Sequence, residues 1–428
     1  MRLPTAKGRA AAATAAALVV ALAVAGCAPS PKVQDAVVVG NGGDFAKDTQ
    51  KQLQDAVTAA MTAAGASGAI VGVWAPWAGD WVDGLGTQSP ATKTPVTTGM
   101  DFRVADITRA MTCDALYHLA GEGRIDVDKS VSAYDSAYPD LRDVTLRELC
   151  DGTAPIGSYR TLLSAAMADN PMRVWDPNEL VTYGLGQTIP PATVTPYHDA
   201  DAGYVLVGIV LERAIGKPIA QILHDEVFAP LGLASTALPG AKAAPPHTTG
   251  TPLRGFNSVK DAKGAWVCDK PTDVTDASAS MGSSAAGVVS DIDDLGAYVQ
   301  ALAKGTLTPK DAKRYASPKP VSAETPTWYT AAGGTYQAGS LIGQYGSIPG
   351  YATAAYSDPR SGLTIAVVLN NSGSGASIAQ DLAFQLAAIA SKAPAEKGKN
   401  APAAGLPWTA QQYADAIAHS AICAPPSK

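Results

Sequence analysis

The chain has 428 residues, 46% hydrophobic and 16% charged, with a formal net charge of −6. That length suits two or three domains or one large bilobed unit. No basic block interleaved with aromatics occurs, which argues against nucleic acid as a partner, and beyond the first 26 residues no stretch is long and apolar enough to cross a bilayer.

Residues 1–26 read as a secretory signal. Arg2, Lys7 and Arg9 make a positive start, and "AAAATAAALVVALAVAG" follows, too short and wrongly flanked for a lasting span. The ending "VAGC" resembles a bacterial lipobox, so Cys27 is expected to carry the lipid. Two or more acyl chains would hold the protein on the outer face of the plasma membrane, in the cell envelope. Removing residues 1–26 takes three basic residues and no acid, leaving 402 residues at a charge of −9. Residues 27–50 are polar and Gly-rich and are expected to form a tether.

A main domain over residues 51–391 follows. "QKQLQDAVTAAMTAAG" has helical apolar spacing and stops at Gly65. "GAIVGVWAPWAGDWVDGLGTQ" contains two β-rich runs around turn residues, the mark of a hairpin. From Ala105 to about Gly240 the pattern is mostly helical, including "ADAGYVLVGIVLERAIG" and "IAQILHDEVFAPLGL". The segment "AAGVVSDIDDLGAYVQALAKG" predicts a helix behind Ser290, with Asp291 and Asp293 in its first turn. Strand character returns in "YATAAYSDP" and "GLTIAVVLNNS", and a helix is expected over 377–391. Residues 392–428 read as a linker, a short helix near 408–421 and a tail. Strands at both ends around a helical middle predict an α+β fold, a sheet layer against a helical lobe at about 105–240.

Four cysteines remain after Cys27: Cys113, Cys150, Cys268 and Cys423. In an oxidising compartment they predict two disulfides, with three connectivities open. No C-x-x-C occurs and His118, His198, His224, His247 and His419 stand singly, which argues against a zinc site. No cofactor is expected.

Several stretches together resemble the serine β-lactamase and D-alanyl-D-alanine carboxypeptidase family, in its class C and esterase-like branch. "FRVADITRAMTCDALYHLAGEGRIDVDKSV" follows the family's F-R-I-G-S-V-T-K and L-x-x-x-G-K-L-x-L-D-D patterns. "VTLRELCDGTAPIG", "GYVLVGIVLERAIGKPIAQILHDEVFAPLGLASTAL", "SAAGVVSDIDDLGAYVQALAKG" and "GQYGSIPGYATAAYSDPRSGLTIAVVLNNS" resemble later family segments in the right order. The likeness covers about residues 67–391. It implies an antiparallel sheet flanked by helices, plus a helical lobe.

The chemistry has drifted. The family's nucleophile is the Ser of S-x-x-K, deprotonated by that Lys and by the Tyr of Y-x-N. Here the Ser position is Asp106 and the Lys position Arg109, and no serine has a lysine three residues later. Counting back from Tyr204 without gaps, the Tyr and Asn positions become Asp199 and Asp201. A two-residue insertion would place Tyr197 and Asp199 there instead. The H-x-G position reads Gln344, Tyr345, Gly346, keeping the glycine and losing the histidine. Arg cannot take a proton at neutral pH, and Arg beside Asp106 is expected to hold that carboxyl ionised with a lowered pKa. The serine acyl-enzyme route is closed.

Three readings remain: a non-catalytic envelope lipoprotein binding a peptidoglycan fragment or an envelope protein, a serine-hydrolase-family enzyme (peptidase, esterase or β-lactamase) with a rearranged site, or a carboxylate-based hydrolase using Asp106, Asp199 and Asp201. The resemblance further implies that Cys113 pairs with Cys150, leaving Cys268 for Cys423. It also implies that Asp106, Asp199 and Asp201 converge with Arg109 as their only cation, an acidic pocket suited to an amine or Ca²⁺. The competing bland expectation is an i,i+3 ion pair for Asp106 and Arg109 and a solvated helix cap for Asp199 and Asp201.

Overall fold

The computed structural model describes residues 40, 43–187, 197–402 and 405–423. The expected signal, the expected lipidation site Cys27 and most of the expected tether lie outside these residues. Regular structure reaches into the expected tether: helix α1 spans Lys47–Ala64, and Asp44 bridges Asp80. Gly65 ends α1 in the left-handed region at φ 65°, its N–H reaching the carbonyls of Met61 and Thr62, an ending that glycine adopts without a Cβ penalty.

The expected hairpin follows as β1 (Gly68–Ala75) and β2 (Gly79–Gly86). Strand β3 (Met100–Arg103) lies in a small separate sheet between Thr251–Pro252 and Val289–Ser290. The helical lobe contains α2 (Ile107–Gly121), α3 (Leu146–Asp151), α4 (Arg160–Asp169), α5 (Pro177–Leu185) and α6 (Asp201–Ile215). Helix α7 (Ile292–Lys304) starts one residue later than expected. Asp291 caps it by accepting from the Asp294 amide, while Ser290 sits in the small sheet. Asp caps as well as Ser does and its charge favours the helix N-terminus.

The second half of the main sheet comprises β4 (Lys319–Pro320), β5 (Tyr329–Ala332), β6 (Thr335–Ala338), β7 (Leu341–Ile348), β8 (Tyr351–Ser357) and β9 (Thr364–Leu369). Helices α8 (Ser377–Ala390) and α9 (Ala410–His419) close the chain. The eight-stranded order is β2-β1-β9-β8-β7-β6-β5-β4, every pair antiparallel, so the strands from both chain ends meet where β1 pairs with β9. Strands β4 to β6 had no expectation in the sequence, since their runs are short and polar residues interrupt them.

Alternation along β1 sorts its side chains between two cores. Ala69, Val71, Val73 and Ala75 face a layer containing α1, α8 and α9, while Ile70 and Trp74 face α2, α7 and the lobe. Strands buried on both faces read as continuous apolar runs, as β1, β8 and β9 do. The C-terminal segment packs on the body: the Trp408 indole donates to the Phe384 carbonyl at 2.9 Å. Both implied disulfides form, Cys113–Cys150 joining α2 to α3 and Cys268–Cys423 tying down the end of the chain.

Candidate functional site

Strand β3 runs through Val104 and Ala105 into the start of α2. Ala105 stands where the family pattern has glycine and keeps a left-handed φ of 50°, a strain of about 1 kcal/mol for a residue with a Cβ. Its carbonyl accepts from the Thr108 amide at 3.0 Å and from the Thr108 hydroxyl at 2.8 Å. The turn that would present a nucleophile is therefore retained, and it delivers Asp106. The Asp106 side chain makes no cap bond to the helix; its carboxylate turns to a buried cluster of charges.

Arg109, 2% exposed, lies one turn later on the same face. Its Nη2 stands 3.3 Å from Asp106 Oδ2 and also pairs with Asp201 Oδ1, while its Nη1 pairs with Asp199 Oδ1 at 2.7 Å. The guanidinium rests 5.1 Å from the centre of the Tyr204 ring. Arg160, the first residue of α4, grips Asp106 with both terminal nitrogens at 2.6 and 3.2 Å. It also reaches the Ser347 carbonyl at 3.1 Å and Asp201 at 3.5 Å. The Ser158 hydroxyl donates to Asp201 Oδ2. Asp199 sits at the rim with its side chain 58% exposed.

The structure therefore corrects the expected charge balance. Arg109 is not the only cation: Arg160 joins it, and the buried set Asp106, Asp201, Arg109 and Arg160 is neutral, leaving one rim carboxylate. The bland expectation holds for the Asp106–Arg109 pair and for the exposure of Asp199, and fails for Asp201. The Asp106–Arg109 i,i+3 pair exists but is buried, and Asp201, at the start of α6, is 1% exposed and caps nothing. Sequence reading missed Arg160 because it follows the most drifted motif, and a lone Arg at a helix start carries no signal of its own.

The expected lowering of the Asp106 pKa is also overturned. Burial pushes this carboxyl up, and it outweighs the pull of Arg109 and Arg160. Burial acts the same way on Asp201, but there Arg160, Arg109 and the Ser158 hydroxyl prevail and the pKa falls. Arg109 is itself held well above its ordinary value, since three carboxylates overcome its burial. A guanidinium so placed is no base, and a carboxylate of lowered pKa is a poor one.

Gln344 is buried at 2% and does not line a cleft with free polar atoms. Its amide donates to the Gly334 carbonyl at 3.0 Å and its oxygen accepts from the Tyr345 amide. Gly346 meets the cluster instead: a Cβ there would stand 2.6 Å from Asp106 Oδ2. Tyr197, the alternative occupant of the Tyr position, has its hydroxyl 2.6 Å from that of Tyr336, while Asp199 and Asp201 are the groups on Arg109. Away from this cluster, His118, Glu122 and Glu226 bring potential metal-ligand atoms within 4.8 Å of one another. Arg124 bridges both glutamates and His118 bonds Glu226, so that group already holds its counter-charges.

Residues 53–390 match the Beta-lactamase family model. The chain is 25% identical over 152 residues to a D-aminopeptidase of Cereibacter sphaeroides, a match covering 34% of this chain and 28% of that protein. It is 23% identical over 155 residues to penicillin-binding protein 4* of Bacillus subtilis, covering 36% and 34%. The chain thus spans about a third of the length of these curated relatives. Among solved structures, a D-stereospecific amidohydrolase from Streptomyces superposes with a TM-score of 0.65 at 22% identity, covering 78% of this chain and 97% of that one. The D-amino acid amidase of Ochrobactrum anthropi gives 0.64 at 22%, covering 76% and 92%. With the motif order, the sheet topology and the family match in agreement, the chain belongs to the Beta-lactamase family of serine-hydrolase-related proteins.

Proposed function

We propose that this protein is a catalytically silent member of its family, held in the cell envelope by a lipid on Cys27 and acting by binding. The observation that carries the reading is the state of Asp106. It occupies the nucleophile position, is 6% exposed, and has both oxygens engaged by Arg160 and one also by Arg109. No hydroxyl–amine pair stands there to begin acyl transfer. The carboxylate-hydrolase alternative needs one acid and one base free to meet water, whereas Asp106 and Asp201 are both closed in by arginines. Since the buried carboxylates and guanidiniums of the old site pair with one another, an envelope protein is a better partner for this scaffold than a wall fragment bound in the cleft.

The test is intact-protein mass spectrometry after exposure to a reactive β-lactam and to a fluorophosphonate, with peptide mapping. The unmodified mass is expected with both reagents, and β-lactam and small-ester hydrolysis is expected at the uncatalysed rate. An adduct on Asp106 or Ser158, or turnover lost on Asp106→Ala, would overturn the silent-enzyme reading. Metabolic labelling with a fatty-acid analogue tests the anchor separately: Cys27→Ala should abolish incorporation.

A further inference from the structure

We propose that the cleft floored by Arg103 is a binding site for a small monoanionic carboxylate, separate from the Asp106 cluster. Arg103 ends β3 and is 1% exposed. Its Nη2 donates to the carbonyls of Ala244 at 2.9 Å, Thr275 at 3.3 Å and Ala277, three acceptors for a nitrogen with two hydrogens. Its Nε is buried without a partner, and Nη1 donates to none of the described residues.

The other arginines buried to this degree hold carboxylates. Arg109 holds Asp106, Asp199 and Asp201, and Arg314 holds Asp114. Arg103 forms no ion pair among the described residues; the exposed Asp276 acts on it only at longer range. Buried charges are normally paired because desolvating them alone is expensive. Burial accordingly lowers the Arg103 pKa.

Beside this unpaired cation lies a cleft of about 460 Å³ whose lining includes Pro239, Lys242, Ala244, Pro245 and Ala279. Lys242 is exposed and adds a second positive charge, while the remaining walls are short and apolar. A carboxylate would take charge-assisted hydrogen bonds from Nη1, and its small apolar substituent would lie against proline and alanine. The loop does not depend on those free hydrogens for its shape. Asp101 Oδ2 pins its far end by accepting from the Thr248 and Gly250 amides at 2.5 and 3.0 Å, and Nη2 holds Ala244.

Two sources share this chemistry, a free short-chain acid and the C-terminus of a small-residue peptide. Calorimetric titration of the purified protein at constant ionic strength with propionate and with N-acetylalanine covers both, with propionamide and alaninamide as controls. Saturable binding is expected for at least one carboxylate and none for either amide. Binding of N-acetylalanine alone would identify the peptide end as the ligand, and binding of propionate at least as tight would identify the free acid. Lys242→Glu, at an exposed position, should weaken binding at least about tenfold, the effect of 1.4 kcal/mol, without moving the melting temperature. Arg103→Gln should abolish it. No saturable binding of either carboxylate up to ~100 mM, equal binding of the amides, or an affinity unchanged by Lys242→Glu would overturn the proposal.

Discussion

Replacing Arg160 by alanine removes the group that balances the buried cluster, and the size of the effect can be worked from its contacts. The side chain makes two charge-assisted bonds to Asp106, one to the Ser347 carbonyl and a longer ion pair to Asp201. Removing one partner of a buried pair typically costs about 3–5 kcal/mol, because a charge is left uncompensated. Arg160 is 27% exposed on its side chain, so water can partly replace it and the lower end, about 3 kcal/mol, is expected. At roughly 2 °C per kcal/mol for a domain of this size, the melting temperature should fall by about 6 °C. Urea unfolding followed by tryptophan fluorescence gives the free energy directly. Combining Arg160→Ala with Asp106→Asn should recover at least about 2 kcal/mol, since the stranded carboxylate is then gone. The loss should also shrink toward acid. With its pKa raised in the fold, Asp106 takes up a proton more readily folded than unfolded, so its contribution is most favourable below the unfolded value and is lost as pH rises. An Arg160→Ala effect below about 0.5 kcal/mol, or a double variant no more stable than the single one, would show that the cluster is a solvated surface and not a buried plug.

Gly346→Ala should destabilise by about 1–3 kcal/mol, read as a lower melting temperature, because its Cβ would press on Asp106 Cγ at 2.5 Å. Replacing Cys113 and Cys150 by alanine opens a loop of 37 residues, and the chain-entropy model gives a loss of about 4 kcal/mol; an unchanged urea midpoint would contradict the bond. Asp381 is raised to about 6 by burial alone, so its proton stabilises the fold at acid pH and that contribution is lost as pH climbs through 6. Asp381→Asn should therefore raise stability at pH 8 by about 1 kcal/mol after discounting partial exposure, and change little at pH 4.

The sequence by itself determined the sheet's interior and the departure from the family's S-x-x-K motif. Runs such as "GAIVGVWA" and "TIAVVL" are apolar on both alternating faces, and that pattern suits only a strand covered on both sides. Helix ends were readable because glycine alone tolerates the left-handed cap cheaply, as at Gly65 and Gly216. Asp106 and Arg109 announced the missing nucleophile and base at a fixed i,i+3 spacing. Strands β4 to β6 and the shift of the α7 cap from Ser290 to Asp291 were less legible, since short half-polar runs and adjacent capping residues leave several local solutions of similar energy. The charge balance of the site was decided only by tertiary structure. Arg160 lies 54 residues from Asp106, and no periodicity links residues brought together by packing helices onto a sheet. The sign of the Asp106 shift was hidden for the same reason: the neighbouring Arg is visible in the sequence, but the desolvation that outweighs it belongs to the assembled core.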